Sequence, residues 1–151
     1  MKHQAVPKGY RPVKDALPVA LTRAREAVLS RWRPLLAARG FTEQQWRILR
    51  ITNEFEPVDI STLARLSALH MPSVTRILQH LERNGYLERT RDTQDSRRSW
   101  ITMTPKAKEV MYRDGHKSAE INARIEAEFG AEKLEQLRSL LSELADLQME
   151  E

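Results

Sequence analysis

Residues 71–103 read MPSVTRILQHLERNGYLERTRDTQDSRRSWITM, and the hydrophobic period changes inside this stretch. From Pro72 to about Asn84 apolar residues recur every three or four positions, the spacing of an amphipathic helix. With Val74 at zero and about 100° per residue, Ile77 falls at ~300°, Leu78 at ~40° and Leu81 at ~340°. Arg76, Gln79 and Arg83 fall at ~200°, ~140° and ~180°, directly opposite, with Ser73, Thr75 and His80 flanking them. Gly85 is the residue favoured just past a helix C-terminus. Beyond it Tyr86–Thr90 and Ser99–Met103 suit strands, and the polar run Arg91–Arg98 suits a hairpin loop.

Immediately upstream, Ser61 can cap a short helix, Thr62 to Ser67, and a turn at Ala68-Leu69-His70 leads to Pro72, a residue suited to a helix start. A short helix, a tight turn, a second helix and a two-stranded hairpin make a winged helix-turn-helix. The polar stripe of the second helix suits a DNA major groove, where arginine pairs with guanine and glutamine with adenine while serine and threonine reach phosphates. Taken alone it equally suits a solvated surface helix. The hairpin shifts the balance. Arg89, Arg91, Arg97 and Arg98 surround Asp92-Thr93-Gln94-Asp95-Ser96, and an arginine at such a tip can enter a minor groove. Asp95 stands two residues from Arg97, where an ion pair can orient it. The alternative is a solvated turn with a local salt bridge, but helix and hairpin at this separation together favour DNA.

Working outward, Leu17, Leu21, Ala24, Val28, Trp32 and Leu35 predict a helix from Asp15, its cap, to Gly40, with Pro18 tolerated in the first turn and Pro34 weakening the end. Thr42-Glu43-Gln44-Gln45 reads as a capping box for a helix that ends at Pro57. Val58-Asp59-Ile60 suits a minor strand. Thr104-Pro105 opens a long helix to about Phe129, and Gly130 separates it from a last one, Ala131–Gln148. The predicted class is mainly α. Residues 1–14 form an N-terminal arm, 42–103 the winged helix-turn-helix, and 15–38 with 104–151 the flanking helices.

The 151 residues, 40% hydrophobic and 30% charged, fit one domain with a real core. There is no cysteine, which removes disulfides, thiolate zinc sites, thiol nucleophiles and thiol-based redox sensing. The four histidines lack metal-ligand spacing, and neither a glycine-rich phosphate loop nor a G-x-S-x-G elbow is present. No metal, no cofactor and no catalysis are expected. No apolar run approaches the ~18 residues of a membrane span, so the expected place is the cytoplasm. The net charge of +4 divides into −6 over residues 119–151 and +10 over residues 1–118, a footprint suited to a polyanion partner.

The run Asp92-Thr93-Gln94-Asp95-Ser96-Arg97-Arg98, followed by Ile101-Thr102-Met103-Thr104, resembles the wing signature of the MarR family, and the likeness extends from about Asp15 to Gln148. Met103 and Ala107 stand where the family usually has leucine and glycine. Leu21-Thr22-Arg23-Ala24-Arg25-Glu26-Ala27 and Thr42-Glu43-Gln44-Gln45-Trp46-Arg47-Ile48 are similar to regulators of homoprotocatechuate and related aromatic-acid catabolism. The resemblance implies a homodimer on a pseudo-palindromic double-stranded DNA operator, acting as a repressor released by a small aromatic carboxylic acid. Two other classes remain: an architectural, sequence-nonspecific DNA-binding protein without effector, and a small helical enzyme with a cryptic acid–base site.

Leu134, Leu137, Leu141 and Leu144 form a stripe on the last helix. It packs on the chain's own helices or on a second subunit, and the second is the better account because so small a fold cannot bury both long helices. Arg25 shares the helical spacing of Leu21, Val28, Leu29 and Trp32, so a buried guanidinium is expected there. It requires an anion: a ligand carboxylate, or a permanent partner such as Glu26 or an acid on another helix. Trp32 and Trp46 suit either the walls of such a pocket or plain core. His116 suits either a bond to a phenolic hydroxyl or solvent.

Overall fold

A 3-10 turn, Val13–Asp15, leads into α1 (Leu17–Arg39) in the computed structural model, which describes residues 8, 9, 12–113 and 115–147. Most of the expected N-terminal arm lies outside the described residues. Asp15 does not cap α1: the 3-10 turn consumes it, and Ala16 takes the cap position without a side-chain hydrogen bond. Pro34 stays inside the helix, which runs on to Arg39. Gly40 then ends it with φ 80°, a left-handed conformation that costs a residue without Cβ little.

The capping box forms as expected at the start of α2 (Glu43–Phe55). Gln45 N donates to Thr42 Oγ1 at 3.2 Å, and Thr42 N donates to Gln45 Oε1 at 3.0 Å. A two-residue strand, β1 (Val58–Asp59), precedes α3 (Ile60–Ser67). Here the cap is Asp59, not Ser61: Asp59 Oδ1 accepts from Thr62 N at 2.8 Å, and Ser61 falls inside the helix. The turn through Ala68 leads to α4 (Met71–Arg83), whose Val74, Ile77, Leu78 and Leu81 are all buried. The apolar face of this helix is the one read from the sequence.

The hairpin pairs β2 (Leu87–Arg91) with β3 (Ser99–Met103), antiparallel, from Leu87↔Met103 to Arg91↔Ser99. β1 adds to the far edge of β3 through Val58↔Ile101, giving the order β1-β3-β2. Thr104 turns the chain into α5 (Pro105–Tyr112); its Oγ1 accepts from Ala107 N at 3.2 Å and donates to the Gly85 carbonyl at 2.7 Å. The expected single helix to Phe129 is broken. Arg113 is extended, with ψ 136°, and a new helix, α6 (Gly115–Phe129), starts at a poor helix former. Gly130 then leads to α7 (Ala131–Ala145).

The core lies in the helix-turn-helix lobe, around Ile48, Leu63, Val74, Leu78, Leu81 and Ile101. Met103 and Ala107 are buried in the same cluster, so these two positions carry packing. α6 and α7 bury no residue in the single chain, and Phe129, Leu137, Leu140, Leu141 and Leu144 lie open along them. A patch of this kind marks an association surface. No helix among the described residues is long and apolar enough to cross a membrane.

Candidate nucleic-acid interface and effector cavity

α4 presents Arg76, Gln79, His80 and Arg83 to solvent, while Ser73 and Thr75 sit half-buried at the edges of that face. The Arg76 and Gln79 side chains engage no hydrogen-bond or ion-pair partner among the described residues. Arg83 Nε donates to the Gln79 carbonyl at 3.3 Å, which lays its side chain along the helix. Burial of the opposite face fixes the rotation of α4, so these donors point away from the core.

The wing divides its arginines into two kinds. Arg89 is clamped to α4 by Glu82, Nε to Oε1 at 2.8 Å and Nη2 to Oε2 at 3.0 Å. This bidentate pair sets the wing against α4. Arg98 stacks over Trp100 at 4.9 Å and pairs with Asp59 at 3.2 Å. Arg91 and Arg97 are exposed and without a side-chain partner among the described residues. The expected Asp95–Arg97 ion pair is replaced by another bond: Asp95 Oδ1 accepts the Arg97 backbone N–H at 3.0 Å. Two residues of separation suit an Asx turn better than a salt bridge, and the guanidinium is left to face outward.

Asp92 organises the tip, a role the sequence reading did not assign. Its Oδ1 accepts from Gln94 N at 2.8 Å and Asp95 N at 3.0 Å, and its Oδ2 accepts from Trp100 Nε1 at 2.7 Å. An aspartate opening a polar turn is the signal that was available. The Asp95 amide first, then the Trp100 indole and the Gln94 amide, hold its carboxyl below the usual carboxylate range. A depressed folded value means stabilisation that is present above the unfolded value, about 3.9, and lost as pH falls through the folded one. The Trp100 indole N–H resonance should therefore hold its position from about pH 7 down to about pH 4 and move only below it. Movement in the neutral range would contradict this bond.

α1, α2 and α6, with Leu66 of α3, line a cavity of about 460 Å³ that is open to solvent on one side. Leu29, Trp32, Trp46 and Ile51 supply its apolar walls, and Arg50 and Asn122 stand among its polar groups. Trp46 is buried and tilted against Phe41, ring centres 5.7 Å apart, while Trp32 is half-buried. Arg25 is not the buried guanidinium expected. Its side chain is 54% exposed and pairs with Glu43 at 2.8 Å. Glu43, a cavity residue, also accepts from Arg47 at 2.6 Å. A helical wheel places the Cα, whereas a long side chain carries its charge away from an apolar face. The nearby acid Glu26 is engaged by Arg33 instead. His116 is exposed near the start of α6 and is not among the cavity residues.

Arg50 was missed. It faces this cavity and a neighbouring one of about 270 Å³, both walled by Trp32, Trp46 and Asn122, and has no partner among the described residues. The signal was Trp46 and Arg50 four apart on one helix face. Among the described residues no group of three His, Asp or Glu is placed to hold a metal ion. The leucine stripe is open in the single chain: Leu134 is half-buried, Leu137 36% exposed and Leu141 40% exposed, and Leu144 is exposed as well.

Residues 41–99, from just after α1 to the first residue of β3, match the MarR family. The homoprotocatechuate degradative operon repressor of Escherichia coli is 39% identical over 133 residues, 88% of this chain and 90% of that protein. The chain belongs to the MarR family. Its helix-turn-helix and wing are those of a MarR DNA-binding regulator. Two solved structures of the same architecture are close. The transcriptional regulator PA4135 superposes with a TM-score of 0.85 at 36% identity, covering 92% of this chain and 100% of that one. NadR in complex with 4-hydroxyphenylacetate gives a TM-score of 0.81 at 32% identity, covering 95% and 100%.

Proposed function

We propose that this MarR chain is a cytoplasmic, homodimeric transcriptional repressor that binds a pseudo-palindromic operator and releases it on binding a small aromatic carboxylic acid. Residues 42–103 form the DNA-reading lobe, to which α5 is anchored through Ala107, and 15–38 with the rest of 104–151 the dimerisation part. Arg76 and Gln79 read bases, Ser73, Thr75, His80 and Arg83 reach the backbone, and Arg91 and Arg97 approach the minor groove, with Arg98 and Asp95 shaping the wing. The stripe Leu134, Leu137, Leu141 and Leu144 meets the same stripe of a second copy.

The observation that carries the effector reading is the cavity itself, two tryptophan walls and an unpartnered Arg50 between the lobe and the long helices. A relative solved with 4-hydroxyphenylacetate supports the ligand class, and a relative named as a degradative operon repressor supports the sign of regulation. A carboxylate takes a guanidinium bidentately, while the aryl ring fills the space between the tryptophans. Arg25 then acts at the rim, through Glu43.

A thermal-shift screen of aryl carboxylates and their coenzyme A thioesters tests this. A ligand at about a hundred times its Kd stabilises the folded state by about 2.7 kcal/mol. Arg50→Ala should lose the shift, and Arg25→Ala should keep most of it. An Arg50→Ala protein that responds like the parent would remove the anchor from Arg50, and loss in Arg25→Ala alone would move it there.

A further inference from the structure

Arg39, the last residue of α1, carries a half-buried guanidinium that touches three other elements. Its Cζ lies 4.7 Å from the centre of the Trp46 ring on α2. Its Nη2 donates to the Arg113 carbonyl at 2.9 Å and reaches Ser118 Oγ at 3.5 Å. Trp46 is a wall of the cavity, Arg113 is where α5 stops, and Ser118 stands at the start of α6. α5 is anchored in the lobe by buried Ala107, whereas α6 packs on α1. The guanidinium thus occupies the joint between lobe and long helices while lying against the cavity wall.

Its chemistry suits both contacts at once. The last carbonyls of a helix lack intrahelical donors and carry partial negative charge, so a cation is favoured there. A guanidinium stacks through its flat face and donates through its edge, so the ring and the carbonyl are held by different parts of one rigid group. Neither moves far without the other. A lysine ammonium offers no plane that joins them.

We propose that Arg39 is the positioning residue that couples the effector cavity to the α5–α6 joint. Displacement of the Trp46 ring by an occupant moves the guanidinium and the carbonyl that ends α5, and the lobe turns relative to α1 and α6. A ligand shifts an equilibrium only by its differential affinity for the two states, and this contact is where the difference arises. The role of the occupant rests on the effector reading above; the joint stands on the contacts alone.

The absence of cysteine allows a direct test. Glu88 on β2 and Glu126 on α6 are exposed, and Glu88→Cys with Glu126→Cys provides two spin-label sites spanning the joint. Pulsed electron resonance on protein diluted with unlabelled chain reads the distance within one chain, with and without 4-hydroxyphenylacetate. In the Arg39 protein the distribution is expected to be narrow and to shift with the probe. In Arg39→Met and Arg39→Lys it should be broad already and shift no further. Calorimetry should find the probe bound about as tightly as by the parent. The ratio of operator affinities without and with probe should fall from about tenfold or more to below about twofold. A distribution in both variants as narrow as in the parent overturns the proposal, as does an unchanged affinity ratio. If the probe binds none of these proteins, the effector reading loses that ligand. The distributions without probe still decide: broadening supports the joint, and no change overturns it. Arg39→Lys serves where Arg39→Met does not fold.

Discussion

Changing Leu137 and Leu141 together to lysine is expected to abolish tight operator binding and to leave the chain monomeric or unfolded. Both leucines lie on α7, which buries no residue in the single chain; Leu137 lines a groove with Leu134, Phe129 and Val28 of α1, and Leu140 and Leu144 are exposed on the same helix. Two copies of such a surface make a self-complementary interface, the arrangement of a two-fold dimer. Lysines at its centre would bring unpaired charges into an apolar contact, a far larger penalty than lost methyl groups. Without the dimer each lobe meets its half-site alone, and the gain from linking two modules, about 10²–10⁴-fold, disappears. Sedimentation velocity checks the assembly and a titration with operator DNA checks the affinity. A parent protein sedimenting as a folded monomer at micromolar concentration would contradict the account.

The second large effect is on base reading. Arg76→Ala and Gln79→Ala should each cost about 1–3 kcal/mol per half-site and relax preference at one base position, because both side chains leave the lobe without internal partners. Arg97→Ala should weaken binding through the minor groove, with the loss greatest where A·T-rich sequence narrows it. Competition between operator and random DNA separates the cases. Equal losses on both DNAs for the Arg76 and Gln79 variants would remove α4 as the reader.

What could be read in advance follows the range of the forces involved. Val74, Ile77, Leu78 and Leu81 fell on the buried face because a helix 13 residues long has one rotation that hides its apolar stripe. The Thr42 box was legible because both bonds close within three residues. The α3 cap was not: Asp59 and Ser61 are both good caps, and β1 pairing with β3, more than forty residues on, decides where the extended backbone ends. The break after Tyr112 also escaped, since the turn-by-turn pattern continues past it while Arg39 holds the Arg113 carbonyl from a distant helix. Arg25 and Arg50 show the same limit at the cavity. Their faces were readable, but the partner of one, Glu43, and the space before the other exist only after α1, α2 and α6 pack together. Asp95 failed for a local reason: the backbone N–H two residues on is a closer partner than a guanidinium.

Whether two copies of α4 and the wing read one symmetric sequence is decided by mapping where the protein sits across its genome. One or a few pseudo-palindromic sites are expected, with half-sites about one helical turn, roughly 34 Å, apart, and occupancy lost when a cavity-binding aromatic acid is added. Broad coverage without a preferred sequence, unchanged by any such acid, would make this an architectural DNA-binding protein and contradict the account.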